Sequence, residues 1–232
     1  MKTIGLLGGM SWESTVGYYK EINQGVNKEL GGLHSAKIIL DSVDFGPIEK
    51  LQHKDDWDGT AEILIQAAQG VERAGADFLL ICTNTMHKVA QQIQQSINIP
   101  LLHIADATAE ALTKDGVKKV GLLGTAFTME QEFYKSRLIN DFGLDVIVPE
   151  KNDRAIVHSV IYKELCLGQV QDASRVEYLR IIQQLSDQGA EAVILGCTEI
   201  AMLVKPQDTD VKLYDTTSIH AAKAVQMAIY SS

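Results

Sequence analysis

Short apolar runs alternate along this chain with longer stretches whose apolar residues recur every three or four positions. The runs are Thr3–Leu7, Lys37–Asp41, Asp77–Cys82, Pro100–His103, Lys118–Leu123, Asp145–Val148, Ala192–Leu195 and Lys212–Tyr214. Between them, Trp57–Ala74, Met129–Phe142, Ala155–Leu167 and Ser174–Gln188 carry the helical spacing. Strands this apolar are covered on both faces, so the pattern predicts an α/β class with mainly parallel sheets flanked by helices.

The chain also repeats itself. Ile4-Gly-Leu-Leu-Gly-Gly9 returns as Val120-Gly-Leu-Leu-Gly-Thr125, an offset of 116, and Gly75-Ala-Asp-Phe-Leu-Leu-Ile-Cys-Thr83 returns without a gap as Gly189-Ala-Glu-Ala-Val-Ile-Leu-Gly-Cys197, an offset of 114. Two such matches in 232 residues predict two pseudosymmetric halves, each an α/β lobe. We expect residues 1–98 with the C-terminal segment 208–232 in the first lobe and 99–207 in the second. Ligands of parallel sheets lie beyond the carboxyl ends of the strands, where helix N-termini offer free N–H groups. Gly8–Met10, Thr83–Thr85, Gly124–Thr125 and Cys197–Glu199 are therefore expected around one shared cleft.

Composition narrows the function. With 46% hydrophobic and 22% charged residues the chain can bury a sizeable core, which argues against disorder. A net charge of −9 without a basic, aromatic-interleaved cluster argues against nucleic-acid binding. No apolar run reaches the roughly 18 residues of a membrane span, and Ile4–Met10 is too short and glycine-rich for a signal peptide. A cytoplasmic protein without a membrane partner is the expectation. Cys82, Cys166 and Cys197 show neither a paired count nor ligand spacing, so neither a disulfide framework nor a metal site is expected.

Gly196-Cys197-Thr198-Glu199 ends an apolar run and opens a helical stretch, so a thiol there is expected to face the positive end of a helix dipole, which favours the thiolate. Its symmetry mate is Thr83, eight positions after Gly75 as Cys197 is eight after Gly189. Cys82 is expected to point to the opposite face of its strand, into the packing, and Cys166 to belong to the core. His87 lies four residues past Thr83, where it is either a core histidine or a group that orients the site.

Gly5-Leu-Leu-Gly-Gly-Met-Ser-Trp-Glu-Ser-Thr15, Cys82-Thr-Asn-Thr-Met-His87 and Gly196-Cys-Thr-Glu199 together resemble the aspartate/glutamate racemase family over the whole chain, in matching order and spacing, and in particular its L-aspartate/glutamate-specific or broad-specificity branch. The resemblance implies an isomerase that uses neither pyridoxal phosphate nor metal. In that family two cysteines take and return the α-proton from opposite faces. The first stands directly before an Asn-Thr pair, and that position is Thr83 here. A hydroxyl is a far weaker acid and base than a thiol of pKa about 8.5. The departure implies an asymmetric enzyme with Cys197 as the main base and Thr83 opposite it. A homodimer is a further expectation from the resemblance.

Removing a proton beside a carboxylate calls for donors aimed at the developing enolate. Asn84, Thr85 and Thr198 stand where such donors converge, with helix capping as the alternative for each. Glu199 either receives the substrate ammonium or favours a helix start. Met10 follows the Gly8–Gly9 turn, as a substrate contact or as packing. By resemblance a side chain near Gln52, His53 and Lys54 reaches the distal carboxylate, with Gln52 preferred, and Tyr162–Gly168 supplies a further contact, with Glu164 the candidate. The competing readings are a single-cysteine decarboxylase or cis-trans isomerase of a small dicarboxylic acid, and a non-catalytic dicarboxylate binder.

Overall fold

The computed structural model describes residues 1–230. Contacts within the chain divide it into two compact units, Met1–Ile104 together with the residues from His220, and Ala105–Ile219. In the first half of the sequence the elements are β1 (Ile4–Gly8), α1 (Trp12–Leu30), β2 (Ile38–Ser42), α2 (Phe45–His53), α3 (Trp57–Arg73), β3 (Phe78–Ile81), a 3-10 turn Thr85–Val89, α4 (Ala90–Ser96), β4 (Leu101–Leu102) and α5 (Ile104–Lys114). The second half runs β5 (Lys119–Gly124), α6 (Ala126–Glu130), α7 (Glu132–Phe142), β6 (Asp145–Ile147), α8 (Lys151–Lys163), a 3-10 turn Leu165–Leu167, α9 (Asp172–Asp187), β7 (Ala192–Gly196), α10 (Ile200–Leu203), a 3-10 turn Pro206–Asp208, β8 (Lys212–Asp215) and α11 (Thr216–Tyr230).

Every apolar run of the sequence becomes a strand, and every strand pair is parallel. The sheet orders are β2-β1-β3-β4 and β6-β5-β7-β8, the same topology twice. β4 pairs with β3 and β8 pairs with β7, so both stay with the sheet they extend. That pairing moves the junctions from the expected 98/99 and 207/208 to 104/105 and 219/220. Among the described residues no helix is long and apolar enough to cross a membrane.

The helical stretches end where the backbone has reason to stop. Asp56 caps α3 by accepting from the Gly59 N–H at 2.9 Å. The expected helix Met129–Phe142 is interrupted at Gln131, whose extended φ −90° and ψ 156° separate α6 from α7. The expected Ala155–Leu167 ends early at Glu164, after which the chain tightens into the 3-10 turn Leu165–Leu167.

Strand alternation builds the core of the first unit in two layers. Ile4, Leu6, Phe78, Leu80 and Cys82 pack with Tyr18, Ile22 and Val26 of α1 and with Ala221, Ala224 and Val225 of α11. Leu7, Leu79 and Ile81 face the other way, onto Leu64, Ala68 and Val71 of α3 and Ile93 of α4. In the second unit Val193, Leu195 and Cys197 share one cluster with Val157 and Ile161 of α8 and with Tyr178, Ile181 and Ile182 of α9. Within each unit the helix before the inner strand therefore covers the same strand positions: α3 lies over Leu79 and Ile81, and α9 over Val193 and Leu195.

The turn after β1 depends on glycine. Gly9 has φ +92°, and a Cβ there would stand 2.2 Å from the Val43 carbonyl oxygen. A side chain in such a backbone conformation costs about 1–3 kcal/mol before any clash is counted. Gly9→Ala is therefore expected to destabilise the protein by about 2 kcal/mol or more, read from urea unfolding midpoints. A midpoint equal to wild type would show that the turn relaxes freely.

Candidate functional site

At the carboxyl end of β1, the helix α1 starts on a set of hydroxyls. Ser11 caps it by accepting from the Ser14 N–H at 3.4 Å, and Thr15 Oγ1 donates to the Ser11 carbonyl at 3.0 Å while accepting from the Gly9 N–H at 2.8 Å. Met10 is buried among Leu7, Ile48, Leu64 and Ile81. Its side chain belongs to the core cluster of the first unit.

At the carboxyl end of β3, Thr83 is half-buried, and Asn84 and Thr85 are buried. Asn84 occupies the capping position of the 3-10 turn Thr85–Val89, yet its side chain makes no capping bond. Gln52 of α2 is only 2% exposed; its Nε2 donates to Met86 Sδ at 3.8 Å, and its Oε1 is buried without a hydrogen-bond partner. A buried amide with one open end, beside the Thr85 turn, is chemically suited to a polar ligand. His87 sits below: its Nδ1 donates to the Thr83 carbonyl at 2.8 Å and its Nε2 accepts from the Ile104 N–H at 3.2 Å.

At the carboxyl end of β7 the arrangement differs from the dipole-stabilised thiolate expected of the sequence. The helix α10 has only four residues, and Glu199 at its capping position makes no side-chain cap. The buried Glu199 carboxylate is instead a hub. Cys197 Sγ donates to Oε2 at 3.0 Å, Thr198 Oγ1 donates to the same oxygen at 2.6 Å, and Cys166 Sγ lies 3.9 Å from Oε1. Burial first, and then the negative charge of Glu199, push the Cys197 thiol well above its ordinary value. A backbone N–H of Glu199 at the helix start acts in the opposite sense and lowers it. The Thr198 hydroxyl donates to Glu199, and Glu199 stands at the start of α10 with its carboxylate turned to Cys197 and Thr198 rather than to the helix N–H groups.

The remaining predicted position, Glu164, accepts from Ser174 Oγ at 2.7 Å and closes α8 onto α9. Cys82 is fully buried in the apolar layer under α1 and α11, and burial alone raises its thiol. Strand period places Thr83 on the Leu79 and Ile81 face and Cys197 on the Val193 and Leu195 face, the corresponding face of each sheet.

A sequence profile described as Asp/Glu/Hydantoin racemase matches residues 7–224. The chain belongs to this racemase family. A Yersinia pestis protein described provisionally as an Asp/Glu racemase is 54% identical, with a TM-score of 0.92 over 99% of this chain and 100% of that one. An aspartate racemase homologue from Pyrococcus horikoshii OT3 is 36% identical, with a TM-score of 0.85 over 98% of this chain and 99% of that one. The broad specificity amino-acid racemase RacX of Bacillus subtilis (strain 168) is 22% identical over 174 residues, 73% of each chain.

In this racemase-family chain, Cys166 packs against the core of the second unit as the sequence suggests, and it also approaches Glu199, which the sequence does not show. It lies in the 3-10 turn, and no sequence signal marks the break of α8 that brings it there. Ser14 and Thr15 are legible in the sequence only as parts of a motif.

Because the Glu199 charge opposes ionisation of Cys197, Glu199→Gln is expected to move the thiol titration to lower pH. The measurement is ultraviolet thiolate absorbance against pH, with a Cys197→Ser protein subtracted to isolate this cysteine. An unchanged or higher midpoint would contradict the electrostatic cause.

Proposed function

We propose that this chain is a cofactor-independent racemase of acidic amino acids, L-aspartate and L-glutamate first, with Cys197 as the main base and Thr83 addressing the opposite face of the α-carbon. The observation that carries the reading is the pair of equivalent strand ends, one bearing a thiol bonded to a buried carboxylate and the other a hydroxyl. Family membership and the racemases named among the relatives support the reaction class.

The chemistry follows from the proton inventory. To act as a base Cys197 must first lose its own proton, and Glu199 Oε2 is its hydrogen-bonded acceptor. A substrate ammonium brought beside Glu199 offsets the charge that opposes ionisation and so favours the thiolate. The thiolate then takes the α-proton, and the electron pair passes into the substrate carboxylate as an enediolate. Asn84, Thr85 and the open end of Gln52 are the candidate donors to substrate oxygen atoms, both carboxylates being within the chemistry of an acidic amino acid. A hydroxyl can deliver a proton to the opposite face while taking one from water, the proton lodged on Glu199 then passing to the hydroxide so formed, but as an alkoxide base it is scarcely populated near neutral pH. Interconversion obeys microscopic reversibility, so the asymmetry shows instead as exchange without inversion, faster for the L-enantiomer at Cys197 than for the D-enantiomer at Thr83.

One thiol that rests protonated also suits a decarboxylase, which needs only a proton donor once carbon dioxide has left. Malonates and maleate offered in parallel distinguish that reading.

Cys197→Ser is expected to reduce α-proton exchange of L-aspartate and L-glutamate in D2O by at least about 10²-fold, the lower range for a lost general base, in a protein that remains folded. Exchange at the wild-type rate would remove the assignment. For Thr83→Cys, the ratio of initial exchange from the D-enantiomer to that from the L-enantiomer is expected to rise, because a thiol adds a usable base on that face. Proton NMR of each enantiomer separately reads both outcomes, and a ratio that does not rise would show that Thr83 is not on the reacting face.

A further inference from the structure

The two peptide carbonyls on either side of the Thr83 N–Cα–C unit are both held by buried side chains. Ser14 Oγ of α1 donates to the Cys82 carbonyl at 2.8 Å, and His87 Nδ1 donates to the Thr83 carbonyl at 2.8 Å. Neither bond is part of a helix or sheet ladder. Without them the chain from Cys82 to Asn84 would lean on fewer fixed points, since β3 ends at Ile81 and the 3-10 turn begins only at Thr85.

The histidine is set for this one role by its surroundings. Its Nε2 accepts from the Ile104 N–H at 3.2 Å, so that nitrogen carries no proton and the proton sits on Nδ1, aimed at Thr83. Two further buried rings enclose it: His103, with ring centroids 4.4 Å apart, and His220, at 6.0 Å. His220 is itself pinned, its Nε2 donating to the Leu102 carbonyl at 2.8 Å and its Nδ1 accepting from the Tyr18 hydroxyl at 2.8 Å. The chain of bonds thus runs from α1 and α11 through β4 and the start of α5 to the backbone of Thr83. A hydroxyl is a poor proton donor, so its efficiency depends strongly on where it is held.

We infer that Ser14 and His87 are positioning residues that clamp the backbone on both sides of Thr83 and so set the delivery of a proton from its face. The inference rests on the racemase reading above, in which Cys197 removes the α-proton of an L-substrate and the Thr83 hydroxyl relays one from solvent to the opposite face. In D2O that mechanism has two measurable products. Return of a solvent deuteron from the Cys197 side gives labelled L-substrate, and delivery through Thr83 gives labelled D-product, each by breaking the Cα–H bond and forming a Cα–D bond. The ratio of D-product to labelled L-substrate therefore reads the Thr83 side alone.

The test compares wild type, Ser14→Ala, His87→Gln and His87→Asn, each checked for folding by circular dichroism and thermal unfolding. Asparagine places an amide N–H near the position of Nδ1 and can restore the bond to Thr83; glutamine places its amide near Nε2 and cannot. Ser14→Ala and His87→Gln are expected to lower the product ratio about tenfold, within the roughly 10²-fold that a 1 Å misplacement can cost, and His87→Asn is expected to recover most of it. If His87→Gln does not fold, Ser14→Ala and His87→Asn carry the comparison. A ratio equal to wild type in folded Ser14→Ala and His87→Gln overturns the positioning role while leaving the racemase reading in place. Equal loss of both labelled products also overturns it, because that marks a structural effect on the whole protein. Wild-type protein that labels neither L-aspartate nor L-glutamate overturns the racemase reading, and the clamp with it. A nitrogen-15 spectrum of wild type reads the His87 tautomer without reference to activity, and a proton on Nε2 would by itself overturn the bond to Thr83.

Discussion

A parallel strand buried on both faces has to send consecutive side chains to opposite layers, and the chemistry of this protein is arranged by that constraint. Cys82 and Thr83 are neighbours, yet Cys82 follows Phe78 and Leu80 into the layer under α1 and α11, while strand period assigns Thr83 to the face of Leu79 and Ile81. In the second sheet the same alternation carries Val193 and Leu195 to Cys197, under α9. The thiol of the first half is thereby committed to packing, and a hydroxyl takes the place that corresponds to the thiol of the second half.

That asymmetry extends to the electrostatics. Cys197 is buried next to a buried carboxylate, and both burial and charge keep its proton on. The arrangement makes the thiol a strong base once ionised, because a proton it accepts is held tightly, and makes ionisation depend on what reaches Glu199. The carboxylate also gathers Thr198 and approaches Cys166, so the strand end, the 3-10 turn after α8 and the start of α10 meet at one charge. On the Thr83 side the control is geometric instead: hydroxyls of α1 and a tautomer-fixed histidine hold backbone carbonyls and N–H groups in the turns after β1 and β3.

The sequence by itself determined the α/β class, the eight strands found among the described residues and the duplication, because apolar runs with helical stretches between them leave little choice but parallel sheets covered on both faces. Its ungapped repeat also pairs Thr83 with Cys197 by position. Tertiary structure decided the rest. The junctions between units followed strand pairing of β4 and β8, which composition does not encode. The surroundings of Cys197 were decided first by burial and then by the Glu199 carboxylate folded back onto it, both of which raise the thiol, against a backbone N–H of Glu199 that lowers it. Met10 went to packing, Glu164 to Ser174 and Cys166 to the neighbourhood of Glu199. Each of these depends on which atoms become neighbours after burial. A linear pattern specifies the face on which a residue lies, whereas the hydrogen-bond partner it finds there is set by elements far away in the chain.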